Sequence, residues 1–266
     1  MHTDINALFN AMWQDYIKMT PSAAKVHQLL GQGKAIINDH IALRTFNLPK
    51  VGLDVLAAHF EALGYVACGD YRFEQKKLVA KHFEHPDPTQ LKVFISELLV
   101  EEFSPELQQR VTDLVEQIPT QALTADNFTY SGRHWQLDYG TYQALLAESE
   151  YAAWVAAFGY RANHFTVSVN HLAEFSTLAA VNTALKEAGF ILNSVGGEIK
   201  GSAEVLLEQS STMADRIPVA FDDKTVEIPS CFYEFALRYP KADGELYTGF
   251  VAASADKIFE STNVKA

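Results

Sequence analysis

Only two cysteines, Cys68 and Cys231, occur in 266 residues. They form no CxxC pair and no framework spacing, which excludes a disulfide scaffold and fits a reducing compartment. No apolar run approaches the roughly 20 residues that a membrane span needs. The opening Met-His-Thr-Asp, soon followed by Asp15 and Lys18, holds no signal-like apolar core. A soluble, cytoplasmic protein is expected. Basic residues are few, 21 against 33 acidic, for a net charge of −12. That balance repels phosphate backbones and argues against a nucleic-acid partner. It leaves room for a small anionic substrate, because one well-placed arginine sets the local field. The chain also lacks a Walker loop, a GxGxxG turn and a GxSxG elbow, and no serine has a histidine and an acid at recognisable spacing.

What remains is an ordinary globular composition, 48% hydrophobic and 20% charged, long enough to bury a substantial core. The expectation is one domain over 1–266. Apolar residues at Ile5, Leu8, Phe9, Met12, Trp13 and Ile17 predict a first helix, and Thr20-Pro21 predicts the start of a second. Together they span 4–31. Residues 36–100 read as strand, helix and three strands, with the first strand over 38–46 and glycine stopping the helix at Gly64. The segment 104–159 reads as a helical linker, ending in one long helix from about Thr141 to Phe158. Over 162–240 the first pattern returns: a strand at 163–169, a helix at 174–188, then strands near 190–192, 203–209, 216–221 and 231–239. Two pseudo-repeated βαβββ modules are expected, an internal duplication in an α+β fold. Their curved mixed sheet would surround a cleft, with the remaining helices flanking it.

Side chains alternate along a strand, so His40, Ala42 and Arg44 share one face of the first strand. Two such polar groups are costly to bury without partners, so the face should look into a cavity. Of nine histidines, most have ordinary surface or packing readings. His40 and His164 stand apart because they hold equivalent places in the two modules, and neutral imidazole is a frequent metal ligand. Glu234 is out of character in the apolar run Cys-Phe-Tyr-Glu-Phe-Ala-Leu. A pairing with Arg238 is weakened by the roughly 13 Å that four strand residues span, and a metal satisfies the carboxylate better. Two histidines and one carboxylate make the facial triad of non-haem Fe(II) sites, with coordination positions left open. Ligand type alone leaves Mn²⁺ and Zn²⁺ as alternatives. Glu97 in the first module is a fourth candidate, in a second shell or at the surface. Arg44 would grip the metal-chelating carboxylate of a 2-oxo acid with its two-pronged guanidinium. The polar stretch 207–215 would bring Gln209, Ser210 or Ser211 over the cleft as hydrogen-bond donors.

Four segments together resemble one family. Asn38-Asp39-His40-Ile-Ala-Leu-Arg44-Thr-Phe, Ala162-Asn163-His164-Phe-Thr-Val-Ser, Glu208-Gln-Ser-Ser-Thr-Met-Ala-Asp215 and Phe232-Tyr-Glu234-Phe-Ala-Leu-Arg238 look like the 2-oxoadipate dioxygenase/decarboxylase family. Its fold is similar to that of vicinal oxygen chelate enzymes. The match spans roughly 30–260, and Tyr247-Thr-Gly-Phe250 fits as well. The resemblance implies Fe(II) held by His40, His164 and Glu234, with Arg44 on the substrate carboxylate. It implies that 2-oxoadipate and O₂ give 2-hydroxyglutarate and CO₂, in the context of lysine catabolism. Two other readings stay open: a Zn²⁺ or Mn²⁺ isomerase, lyase or hydrolase of the vicinal oxygen chelate type, and a non-catalytic small-ligand binder. The sequence is silent on oligomeric state and on the group that grips the far end of a diacid.

Overall fold

Residues 1–263 are described in a computed structural model of the chain. In chain order the elements are α1 (Ile5–Met19), α2 (Ala23–Gly31), β1 (Asn38–Phe46), α3 (Leu53–Glu61), β2 (Val66–Phe73), β3 (Leu78–Glu84) and β4 (Lys92–Leu98). Then come α4 (Pro105–Glu116), α5 (Tyr139–Glu148), α6 (Glu150–Phe158), β5 (Ala162–Ser168) and α7 (Leu178–Glu187). The chain continues with β6 (Lys200–Ser202), β7 (Leu207–Ser211), β8 (Arg216–Ala220), β9 (Thr225–Pro229), β10 (Phe232–Arg238) and α8 (Ala252–Ile258). Eight strands form one curved sheet in the order β2-β3-β4-β1-β5-β10-β7-β6, and β8 and β9 form a separate hairpin. No helix of the described residues is long and apolar enough to cross a membrane.

The seam of the sheet is the antiparallel pair β1 and β5. Each seam strand has a parallel partner on its outer side, β4 beside β1 and β10 beside β5. The order of elements therefore reads the same outward from the seam in both directions. On one face α1 covers the seam, with Trp13 and Tyr16 against the Phe165 ring at 5.1 and 4.9 Å between centroids. The buried Tyr16 hydroxyl donates to the Phe232 carbonyl at 2.5 Å. Phe165 lies between His164 and Thr166, so strand alternation turns those two to the opposite face. That face looks toward α6 and α8.

Several local expectations give way to caps and turns. Thr20 ends α1, its N–H bonded to the Tyr16 carbonyl, and α2 begins only at Ala23. The long helix expected over 141–158 is two helices, because the Ser149 backbone is extended and its hydroxyl accepts from the Ala152 N–H as the cap of α6. Gly159 then turns the chain at a φ of 66°, where a side chain would collide with the Gly132 carbonyl. The expected strand at 190–192 is a single bridge from Leu192 to Thr212, and Ile191 is 75% exposed. The expected strand at 203–209 is interrupted at Leu206, which takes a left-handed turn. Sequence reading missed α8 and the helical turn at 259–262 altogether. The spacing of Val251, Ala255, Ile258 and Phe259 was the available signal.

Candidate metal centre

His40, His164 and Glu234 come from three adjacent strands, β1, β5 and β10. The register sets Ala42 opposite His164, and Glu234 beside Thr166. Their ligand-capable atoms all lie within 4.8 Å of one another. His164 Nε2 is 3.1 Å from Glu234 Oε2, and His40 Nε2 is 3.5 Å from Glu234 Oε1. All three are buried, Glu234 to 1% exposure.

Two β-bulges build this cluster. Along the seam Asn38 pairs with Val167 but His40 pairs with Thr166, so Asp39 is an extra residue of β1. Further on, Ala42 pairs with His164 but Leu43 with Ala162, so Asn163 is an extra residue of β5. A bulge places two consecutive side chains against one partner, which brings each extra residue alongside the histidine that follows it. His40 Nδ1 donates to Asp39 Oδ1 at 2.7 Å, and His164 Nδ1 donates to Asn163 Oδ1 at 3.1 Å. Both Nε2 atoms are thereby left without a proton on the side of Glu234, and that of His40 is met by the Thr166 hydroxyl.

The electrostatics favour a cation at this point. Burial pushes the Glu234 carboxyl up, but His40, His164 and the Gln209 amide outweigh it and leave the group below the usual carboxylate range. Burial holds His164 below the usual imidazole range, against the pull of Glu234. A buried carboxylate needs either protons on the facing rings or a bound cation, and two imidazoles and a carboxylate with ligand atoms within 4.8 Å of one another suit a cation. Gln209 Nε2 donates to Glu234 Oε1 at 2.6 Å, and the Thr166 hydroxyl donates to His40 Nε2 at 3.0 Å. Behind His40, Asp39 is gripped by Arg238, Nε to Oδ2 at 2.7 Å and Nη2 to Oδ1 at 2.8 Å. Arg238 therefore pairs with Asp39, not with Glu234.

The cluster opens on a small cavity of about 20 Å³, room for one water. His40, Ala42 and Arg44 all line it, as the alternation of β1 predicts. Four buried polar atoms of three lining residues make no hydrogen bond: Arg44 Nε and Nη1, Asn163 Nδ2 and Gln209 Oε1. The Arg44 guanidinium lies 5.1 Å from the ring centres of Tyr151 and Trp154 and 5.4 Å from that of Phe259. Its Nη2 donates to Thr262 Oγ1 at 3.1 Å, and Glu150 stands 3.6 Å from Nη1. Phe250, Ala255, Ile258 and Phe259, all beyond β10, form the roof.

Ser210 and Ser211 are not brought to the wall. Ser210 Oγ donates to Asn182 of α7 at 2.7 Å, and Ser211 Oγ meets Ser261 Oγ at 2.8 Å. The third residue of that stretch, Gln209, is the one that reaches the cluster. Glu97 points elsewhere and accepts from the Leu53 N–H at the start of α3, at 2.6 Å. The residue that holds the register place of Glu234 in the first half is Phe94. A second metal-capable group, Cys68, His82 and Glu84, lies near the β2 edge. There both ring nitrogens of His82 are already engaged, by Tyr71 and Glu84.

A family model described as 2-oxoadipate dioxygenase/decarboxylase matches residues 2–241. The chain belongs to this family. A curated relative from Oryza sativa subsp. japonica, "2-oxoadipate dioxygenase/decarboxylase, chloroplastic/amyloplastic", is 35% identical over 93% of this chain and 76% of its own length. Among solved structures, one from Shewanella frigidimarina, named only provisionally as a hydrolase, is 74% identical with a TM-score of 0.92. It covers 95% of this chain and 100% of that one. The Oryza sativa hydroxyglutarate synthase in complex with 2-oxoadipate is 34% identical with a TM-score of 0.90, covering 97% of this chain and 92% of that one. A glyoxalase-superfamily protein of Ralstonia eutropha shares the fold, at 21% identity and a TM-score of 0.73 over 92% of this chain and 85% of that one. The α+β reading of the sequence, with a sheet of the vicinal oxygen chelate kind, agrees with this likeness.

Proposed function

We propose that the chain is an Fe(II)-dependent enzyme that converts 2-oxoadipate and O₂ to 2-hydroxyglutarate and CO₂. The observation that carries the proposal is the convergence of two imidazole nitrogens on a buried carboxylate, beside a cavity lined by residues with four buried polar atoms that make no hydrogen bond. Family membership supplies the reaction class, and the 2-oxoadipate bound to the rice relative supports the substrate. Internal duplication accounts for the matching halves within one domain.

His40, His164 and Glu234 would hold the metal, and the donor set fits: two neutral nitrogens and one carboxylate at bonding reach of a common point. Iron bound there would supply chelation of the keto acid and activation of oxygen. The chain's own residues do the rest. Asp39 and Asn163 fix the imidazole tautomers, and Gln209 orients the carboxylate. Phe250, Ala255, Ile258 and Phe259 give the cavity an apolar roof. Arg44 lies among Tyr151, Trp154 and Phe259, four strand residues from His40. That is about 13 Å along the backbone, which suits the carboxylate remote from the metal rather than the chelating one. Arg44 Nε and Nη1, which make no hydrogen bond although Glu150 stands 3.6 Å from Nη1, would be the donors for that grip.

Phe94 at the place of a fourth ligand weighs against a Zn²⁺ isomerase or hydrolase site closed by four protein groups. The test is anaerobic purification with metal analysis, then oxygen uptake with 2-oxoadipate. Bound iron with substrate-dependent oxygen consumption and equimolar CO₂ supports the proposal. Tightly bound zinc without oxygen consumption would replace it with Lewis-acid chemistry.

A further inference from the structure

Arg238 is buried, and all three of its guanidinium nitrogens are engaged, on two targets. Its Nε and Nη2 clamp Asp39, while Nη1 donates to the carbonyls of Tyr247 at 3.0 Å and Gly249 at 2.8 Å. The next residue, Phe250, sets its ring at 90° to His40 with 4.8 Å between centroids, and Arg238 lies 5.2 Å from the same ring. The Phe250 N–H donates to Tyr71 Oη at 3.1 Å, which anchors the segment on its other side. The contacts close a circuit: His40 to Asp39, Asp39 to Arg238, Arg238 to the 247–249 backbone, and Phe250 back onto His40.

We propose that Asp39 and Arg238 are positioning residues that couple metal binding at His40 to the ordering of the 247–250 roof segment. A metal on His40 Nε2 withdraws electron density and makes the Nδ1 proton a stronger donor to Asp39. A firmly held Asp39 fixes the plane of the Arg238 fork, and the fork fixes the two carbonyls. Coupling of this kind is reciprocal, so a well-packed roof also tightens the metal. The other half of the site has no counterpart: His164 is held by the neutral amide of Asn163. The roof would then form fully only over a loaded metal, and substrate chelation would follow metal binding.

The inference rests on the metal reading above, and the test separates the two. Metal-free protein is titrated with Co²⁺, followed by absorption, and hydrogen exchange of the 247–250 amides is measured with and without the metal. Asp39→Ala is expected to weaken Co²⁺ binding by about 10- to 100-fold. Asp39→Asn keeps an acceptor for His40 Nδ1 and is expected to recover most of that loss. In the parent protein Co²⁺ should slow exchange at 247–250, and Arg238→Gln should abolish that slowing. Arg238→Lys keeps the charge but loses the fork, so it should reduce the slowing too if Arg238→Gln does not fold. Parent-like affinity in Asp39→Ala overturns the inference. So does unchanged metal-dependent slowing in the Arg238 variants. A parent protein that binds no Co²⁺ overturns the metal reading itself, and the inference with it.

Discussion

Phe94 and Glu234 hold the same register place in the two halves of the sheet, one beside Ala42 on β1 and the other beside Thr166 on β5. One is an apolar wall of the cavity and the other its buried anion. The three-ligand character of the site depends on that difference.

Phe94→Glu would put a carboxylate opposite Glu234. The variant is expected to bind Zn²⁺ more tightly than the parent, because a fourth ligand fills an open position. Oxygen consumption should fall at least 100-fold for the same reason. Competitive metal titration and oxygen uptake check both effects. Equal zinc affinity in variant and parent would mean that Phe94 does not face the metal.

His164→Ala should remove stoichiometric metal while leaving the fold intact. The imidazole is a neutral group in a cavity that already has room for a water. Metal analysis and a thermal unfolding curve together check this, with a melting temperature near that of the metal-free parent expected. Full iron content in the variant would remove His164 from the ligand set.

Arg44→Lys preserves a charge but loses the fork and the flat packing among Tyr151, Trp154 and Phe259. Metal content should be unchanged. A lost charge-assisted hydrogen bond predicts kcat/KM down by about 10- to 100-fold for a 2-oxo diacid. The loss should be much smaller for a 2-oxo acid without a second carboxylate. An equal loss for both would place Arg44 at the chelating end.

Lys200 is buried at the start of β6, its ammonium bonded to the Asn193 and Glu198 carbonyls. Burial pushes it down to about 8, opposed by Glu234 and Glu198. With a folded value below the ordinary 10.5, the unfolded chain binds more protons between those two values. Stability should therefore rise with pH across that window and pay its full penalty below it. Relative to Lys200→Met, the metal-free parent should gain about 1–3 kcal/mol between pH 8 and 10.5. Denaturant unfolding at several pH values checks the slope, and parallel curves would show that Lys200 stays charged.

Much of the candidate site was legible because it follows strand alternation. His40, Ala42 and Arg44 share a face in any regular strand, the repeat pointed to His164, and Glu234 stood out in an apolar run. The partners of those residues were not legible. Asp39 and Arg238 are 199 positions apart, and a side-chain pattern does not reveal which strands are neighbours. Ser210 and Ser211 looked suitable by chemistry, but although the register sets Ser211 opposite Glu234, it is the longer Gln209 side chain, opposite Ala236, that reaches the carboxylate diagonally. The break at Ser149 was hidden because the apolar pattern continues across it, while a capping hydroxyl decides the backbone.

The two seam bulges run in opposite senses. Asp39 shifts the pairing by one residue, and Asn163 shifts it back three pairs later. They act like a frameshift and its suppressor: only the short stretch between them is read out of phase, and that stretch contains both histidines. Loss of either residue alone would throw the rest of the seam out of step, since a slip by one exchanges the faces of a strand. Loss of both would restore a regular ladder, with each histidine deprived of the neighbour that aims it. The scaffold can thus shed the bulged register only through two matched changes, whereas a single substitution suffices to remove His40, His164 or Glu234.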